Sequence, residues 1–293
     1  KLARKLIEKG NYVIGIDNLV TGYKKNIPAK VNFFYGDCSN YKQIVKIDFK
    51  NVETIFHLAG QSGGVISFDD PIKDMKYNLE STLNLLNLAV NNRVRNFFYA
   101  SSVAVYGQKK SSIKVSEIDR CNPLSFYGQS KFTSENYLEL YKKFYKINGT
   151  SLRLFNTYGP GQDLNNLRQG MLSIYLSQAI RNKKIIVNGS VDRFRDFVHV
   201  DDVVSAFVEI MKKKNLSKAY NVCYGVKTSV KKAIKLISKN LPYAPRVTVK
   251  GKTLGDQFGV VGNNNLLKKK IKWKRKFENI EIGIENFVCS YFK

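Results

Sequence analysis

The 293-residue sequence is poor in histidine and cysteine, with two of the first and four of the second, and each shortage excludes a kind of chemistry. Cys38, Cys121, Cys223 and Cys289 lie far apart with no Cys-x-x-Cys pair. That is the pattern of free thiols in a reducing compartment, so a cytoplasmic location is expected. His57 and His199 stand alone in the sequence, which leaves a zinc site short of neighbouring ligands, and no metal is expected. No apolar run approaches the roughly 18 residues of a membrane span, so no integral membrane contact is expected. Acidic residues are scarce as well: 23 Asp and Glu stand against 49 Lys and Arg, a formal charge of +26. Most of the excess is lysine scattered along the chain, the composition of a solvated surface. The densest runs, Lys212 to Lys214 and Lys268 to Lys276, lack the interleaved aromatics of a single-strand binding face, and no nucleic-acid partner is expected. A positive surface does favour capture of an anionic small molecule.

What is present is a globular chain, 43% hydrophobic and 12% aromatic, long enough for one large domain or two smaller ones. Residues 1–10 read as the end of an amphipathic helix, with Leu2, Leu6 and Ile7 on one face and Gly10 as its C-terminal cap. A strand from Asn11 to Asp17 follows at once. A helix feeding a strand at residue 1 is the middle of a βαβ unit, and the expectation is a fragment that lacks its first strand. Apolar runs at Val31 to Tyr35, Thr54 to Leu58, Asn96 to Ala100 and Ser151 to Phe155 predict buried strands. Helical patterns separate them at about Tyr41 to Lys46, Ile72 to Asn92 and Ser125 to Asn148. The alternation predicts an α/β fold with a Rossmann-type, doubly wound parallel sheet. After Gly159-Pro160-Gly161 the pattern loosens into a smaller C-terminal region.

Ligands bind open parallel sheets at the carboxyl ends of the strands, and two carboxylates stand there: Asp17 and Asp37, the latter in Gly36-Asp37-Cys38. They suit a dinucleotide, although either could be a turn aspartate. Tyr127 and Lys131 stand four apart at the start of a long helical pattern, so they share a face. Chance alone supplies about two such Tyr/Lys pairs, and the sequence has a second, Tyr106/Lys110, with no helix to align it. A phenol ordinarily titrates near 10, so work as a base near pH 7 needs a drop of about three units. An ammonium about 6 Å away supplies nearly 3 kcal/mol of that at an effective dielectric of 20. Ser101-Ser102 ends a predicted strand about 25 residues earlier and offers the hydroxyl that such a pair lacks.

With these residues the chain resembles the extended short-chain dehydrogenase/reductases, the NAD-dependent epimerase/dehydratases of nucleotide sugars, with UDP-glucose 4-epimerases nearest among the known activities. The resemblance rests on Ile16-Asp17-Asn18-Leu19, Gly36-Asp37, His57-Leu58-Ala59-Gly60-Gln61, Ser101-Ser102 with Val105-Tyr106-Gly107, Tyr127 with Lys131, Leu154 to Pro160, and Arg195 to Asp202. It implies NAD as cofactor, with Asp17 and Asn18 at the adenosine ribose, Asp37-Cys38 at adenine, Leu58-Ala59-Gly60 along the pyrophosphate and ribose, and Tyr127 and Lys131 at the nicotinamide end. It implies Ser102, Tyr127 and Lys131 as the catalytic set, and Asn156 and Arg195 at the diphosphate of a nucleotide-sugar substrate. It further implies a NAD-binding Rossmann domain over 1–160 and a mainly substrate-binding region over 161–293, from which about 198–222 returns to the first. The family's Gly-x-x-Gly-x-x-Gly loop is not in the sequence, so the chain as given is expected to bind NAD weakly. Thr253 stands where many members carry a second phosphate-binding Arg, which leaves the sugar nucleotide open.

The expected reaction is NAD-dependent epimerisation at C4 through a 4-keto intermediate. Relatives that eliminate water resemble one another in carrying Asp-Glu after the catalytic Thr, and decarboxylases keep the Glu; here Val103 and Ala104 occupy those positions. Asp69 or Glu117 could approach instead, so a dehydratase or decarboxylase stays open, as does a non-catalytic dinucleotide-binding relative. Apolar and aromatic residues beyond one sheet-facing stripe (Leu83, Leu86 and Leu88; Tyr137, Leu138, Tyr141, Phe144 and Tyr145) predict a homodimer through the two long helices.

Overall fold

A computed structural model of the chain describes residues 1–110, 112–251, 255, 257–277 and 279–292. Strands and helices alternate through the first half: α1 (Leu2–Glu8), β1 (Val13–Asp17), β2 (Val31–Tyr35), α2 (Tyr41–Ile44), β3 (Thr54–His57), α3 (Pro71–Met75), α4 (Ser81–Asn91), β4 (Asn96–Ser102), β5 (Lys114–Val115), α5 (Phe126–Tyr145), β6 (Asn148–Leu154) and β7 (Asn156–Tyr158). The second half has shorter strands: α6 (Met171–Asn182), β8 (Lys184–Asn188), β9 (Phe194–Arg195), β10 (Phe197–His199), α7 (Val200–Ile210), β11 (Ala219–Val222), β12 (Thr228–Ser229), α8 (Val230–Lys239), β13 (Arg246–Lys250), β14 (Val261–Gly262), α9 (Asn265–Ile271) and α10 (Ile280–Cys289).

Four strands form one parallel sheet in the order β11-β6-β4-β3, the α/β arrangement expected. β4 shows why it is stable. Its side chains alternate in direction, and both faces are covered: Phe97 and Tyr99 enter a core with Leu85, Leu86 and Leu138, while Phe98 and Ala100 enter another with Leu152, Phe207 and Tyr220. β1 and β2 pair in parallel as a separate ribbon, Val13 opposite Val31 and Asp17 opposite Tyr35, with no ladder to β3 among the described residues. A third core, around Leu176, Val187, Ile237, Ile284 and Phe287, unites α6, α8 and α10 with β8.

β6 begins at Asn148, three residues before the expected start, because its pairing with β4 runs from Asn96 opposite Asn148 to Ser102 opposite Leu154. α3 and α4 form one helical run from Pro71 to Asn91, interrupted by a π-helical turn over Lys76–Glu80. Asp70 caps it, its carboxylate accepting the N–H of Lys73 at 2.9 Å, with Pro71 at the first helical position. The basic run after 266 is a solvated face: Leu267, Ile271, Trp273 and Phe277 are buried while Lys268, Lys269, Lys272, Lys274 and Lys276 are exposed. Of the apolar residues expected at a dimer face, Leu86, Leu88 and Leu138 instead belong to the chain's own core. Tyr137, Phe144 and Tyr145 are exposed on α5, beside Leu140. No described helix is long and apolar enough to cross a membrane.

Candidate active site

The site is built where β4 ends and α5 begins. The Ser102 hydroxyl accepts the N–H of Ala104 at 3.2 Å and so starts the one-turn 3-10 helix Val103–Tyr106. Ser125 caps α5 in the same way, its hydroxyl accepting the N–H of Gly128 at 3.1 Å. Gly128 is where helix and turn touch. A Cβ there would stand 2.8 Å from the Ala104 carbonyl oxygen and 2.9 Å from the Pro123 Cβ. This close approach brings the Tyr127 hydroxyl into the reach of the Ser102 hydroxyl. Lys131 follows one turn later, its Nζ 5.7 Å from the Tyr127 ring centroid and 4.8 Å from that of Tyr99 on β4.

All three side chains are buried. Burial pushes the Tyr127 phenol up to about 12; its bond with Ser102 opposes this and the Asp74 charge adds to it. Burial brings the Lys131 ammonium down to about 8, against the pull of Asp74. That ammonium makes no hydrogen bond among the described residues. The rival pair falls away: the Tyr106 hydroxyl donates to Asn221 at 2.7 Å and accepts from Arg153 at 2.9 Å, inside the core. His57 and His199 are buried too. Burial drives His57 down to about 3, so it stays neutral against Thr82, 2.9 Å away.

The residues expected at a cofactor cluster along the strand ends. Asp17 is exposed at the tip of β1, with one oxygen accepting the N–H of Leu19 at 2.7 Å. Asn18 donates to Asp37 at 3.2 Å and ties the ends of β1 and β2 together. The Cys38 side chain lies instead in the core with Ile44 and Leu85, its thiol pushed up to about 12 by burial. Only its backbone stands at the strand end, where its carbonyl accepts from Asn84 at 3.1 Å. Leu58 and Gly60 are exposed and Ala59 is half-buried. Gly60 has φ +141°, and a Cβ there would run into Oδ1 of Asn78, in the π-helical turn. That oxygen is buried and has no hydrogen-bond partner among the described residues.

Asn156 and Arg195 belong to a second group. The Asp196 carbonyl accepts the backbone N–H of Asn156 at 3.1 Å and its side-chain amide at 3.4 Å. Arg195 donates to the carbonyls of Phe194 at 2.7 Å and Phe258 at 3.2 Å. The Asp196 carboxylate is fully buried and accepts from the N–H groups of Tyr224, Gly225 and Gly262. Burial outweighs these donors and pushes it up to about 7. Thr253 lies outside the described residues. Among the described residues no three His, Cys, Asp or Glu side chains come together as a metal site.

Sequence reasoning missed what stands behind Lys131: Tyr99 under its ammonium, and Asp74, Asn78 and Ser130 around it. Only the π-helical turn would have marked them, since such turns gather at functional sites, and it leaves no trace in hydrophobic spacing.

Comparison with known proteins places the chain among its relatives. The model of the NAD dependent epimerase/dehydratase family matches residues 1–223. A UDP-glucose 4-epimerase of Mycolicibacterium smegmatis is 31% identical over 242 residues, covering 78% of this chain and 75% of that protein. The crystal structure of the Thermotoga maritima UDP-glucose 4-epimerase with UDP-glucose superposes with a TM-score of 0.94 at 29% identity, over 99% of this chain and 94% of that one. The Thermus thermophilus UDP-glucose 4-epimerase in complex with NAD gives 0.93 at 27% identity, with the same coverage. Ser102 and Tyr127 beside a buried Lys131 thus sit in a fold shared with these enzymes, and the chain belongs to the NAD-dependent epimerase/dehydratase family.

Proposed function

We propose that this chain epimerises a nucleotide-activated sugar at C4 through a 4-keto intermediate, with NAD as its cofactor. The residues present fit NAD on two counts. The Gly60–Asn78 approach leaves backbone exposed beside an unpartnered buried oxygen, and Lys131 holds a buried ammonium with donors to give. In this reading Asp17 and Asn18 hold the adenosine ribose, Asp37 and the Cys38 backbone face adenine, Leu58-Ala59-Gly60 line the pyrophosphate, and Lys131 holds the nicotinamide ribose. Asn156 and Arg195 receive the substrate diphosphate, for which a guanidinium is suited. Bound NAD supplies the reversible hydride acceptor.

The chain's own part is proton transfer. Tyr127 takes the proton of the 4-hydroxyl, with Ser102 bridging, and returns it after the ketose has turned. At about 12 the phenol lies some five units above neutrality, a demand of about 7 kcal/mol and larger than an unperturbed tyrosine would face. Lys131 at this range supplies about 3 kcal/mol at an effective dielectric of 20, and a cationic ligand must supply the rest. Tyr127 is therefore a base only in the loaded site.

The observation that carries epimerisation over elimination is the absence of a spare acid at the turn after Ser102. Val103 and Ala104 have no proton to exchange. Asp69 pairs with Arg168 at the surface at 2.5 Å, and Glu117 accepts the N–H of Asn221 at 2.7 Å. Asp74 is held by three donors. Product analysis with UDP- and GDP-sugars tests the reading: the C4 epimer, with no net NADH and no lost water, is expected. A 6-deoxy-4-keto product would replace it with dehydration, and no turnover with any sugar would favour a binding relative.

The exposed Tyr137, Leu140, Phe144 and Tyr145 of α5 support a homodimer, the second half of the proposal.

A further inference from the structure

We propose that Asp74 is a positioning residue of this site: its buried carboxylate locks the loop after β3 to the catalytic helix and is the fixed negative charge that keeps Lys131 an ammonium. The inference rests on the reading of Lys131 given above.

Asp74 lies on α3 and is 1% exposed. A carboxylate removed from water costs several kcal/mol unless donors and a countercharge offset the loss. Three donors meet it, each from a different piece of the site. Ser130 of α5, next to Lys131, donates to Oδ2 at 2.9 Å. Gln61, which follows the Leu58-Ala59-Gly60 loop, donates to Oδ1 at 3.0 Å. Asn78 of the π-helical turn donates to the same oxygen at 3.1 Å. One carboxylate thus fixes the loop proposed for the pyrophosphate, the turn on which that loop rests, and the helix that carries Tyr127.

Its charge has a separate use. The groups facing Lys131 come from four elements: His57 on β3, Tyr99 on β4, Asp74 on α3, and Tyr127 on α5 itself. Burial keeps His57 neutral and the Tyr99 phenol protonated. Asp74 is the anion among them. On balance burial draws its own side chain toward protonation, opposed by Ser130, Lys131 and Asn78, which favour the charged form. Carboxylate and ammonium therefore support each other's charge across the site, and Tyr127 keeps the cation it needs.

Hydrogen bonding alone does not require a carboxylate here. An amide oxygen could accept from both Gln61 and Asn78, and its NH2 could donate to the Ser130 hydroxyl. Asp74→Asn therefore removes the charge and retains the connections, while Ser130→Ala removes one connection and retains the charge. The protein is labelled with 13C at lysine Cε, and the Lys131 resonance, identified by its loss in Lys131→Arg, is followed through pH without substrate. In Asp74→Asn, Lys131 should titrate about one unit or more below the parent. In Ser130→Ala and Asp74→Glu it should stay within a few tenths. The alkaline limb of the pH–kcat profile should move down with it. An unchanged Lys131 titration in Asp74→Asn would overturn the proposal, as would an equal shift in Ser130→Ala. Should Asp74→Asn fail to fold, Asp74→Ser carries the same expectation. Because the titration needs no substrate, it stands or falls apart from the reaction: a product other than the C4 epimer with the shift present refutes the epimerase reading alone.

Discussion

Gly128 offers the sharpest test of how the site is assembled, because adding one methyl group there pits helix propensity against catalytic geometry. In an unobstructed helix Gly→Ala stabilises by about 1 kcal/mol. Here the new Cβ would lie 2.8 Å from the Ala104 carbonyl oxygen and 2.9 Å from the Pro123 Cβ. The first obstacle is backbone that cannot swing aside, so α5 must retreat by about 0.5 Å to reach ordinary contact. Overpacking of this kind costs about 1–3 kcal/mol, which cancels the helical gain or exceeds it by up to about 2 kcal/mol. Ser102 stays with the turn while Tyr127 moves with the helix, so the retreat draws the two hydroxyls apart. A misplacement of about 1 Å costs about a hundredfold in rate, and half of that should cost about tenfold. Gly128→Ala is therefore expected to lower kcat for C4 epimer formation about tenfold with KM little changed, and to leave Tm equal or a few degrees lower. A variant with kcat within twofold of the parent and a raised Tm would show that helix and turn are not in the contact argued here.

Glu135 and Arg153 form a bidentate pair in the core, 2.7 Å at the closest atoms, and Ser101 donates to the same carboxylate. Glu135→Leu should destabilise by about 3–5 kcal/mol in urea unfolding, and adding Arg153→Met should recover most of that, since the lone buried charge is the main cost. Lys131 binds its proton less tightly when folded, about 8 against 10.5, so the unfolded chain holds more protons between those values and stability rises with pH across that window. Lys131→Met should accordingly be the more stable protein at pH 7, by about 3 kcal/mol, with the difference closing as pH rises from 8 toward 10.5; a constant difference would contradict a strained ammonium. Light scattering at micromolar concentration should give the mass of a dimer, and Phe144→Glu with Tyr145→Lys should give the monomer.

Tyr127, Lys131 and Ser102 were legible because each sits at the start or end of a long element whose period is plain. Four-residue spacing on a helix and a serine pair after an apolar strand survive any detail of packing. Asp74 was illegible because Asp69, Asp70 and Asp74 look alike in sequence. Only the fold decides that Asp69 meets Arg168 at the surface, Asp70 caps a helix, and Asp74 is buried behind Lys131. Asn148-Gly149-Thr150 precedes the apolar run that starts at Ser151, yet pairing with Asn96, Phe97 and Phe98 makes it strand. The short strands β5, β9, β12 and β14 have two residues each and owe their existence to partners far away in the chain, so no local period announces them. Cys38 was legible in place but not in direction, since a residue just past a strand can turn either way.

The β1–β2 ribbon has a thermodynamic consequence. It meets the rest through Val13 and Ile16, which pack against the two cores of the sheet, through the side-chain amide of Asn84, which donates to the Cys38 and Ser39 carbonyls, and through Ile44 and Phe49 in the core with Leu85. Asp17 and Asp37 ride on this ribbon, whereas Tyr127 and Lys131 are anchored to the four-stranded sheet and its helices. The adenosine end proposed for the dinucleotide is thus held in place by packing residues of its own, apart from those that hold Tyr127 and Lys131. Substitutions at Asn84 or Phe49, which touch no ligand, would tune retention of the cofactor while leaving the proton chemistry at Tyr127 intact.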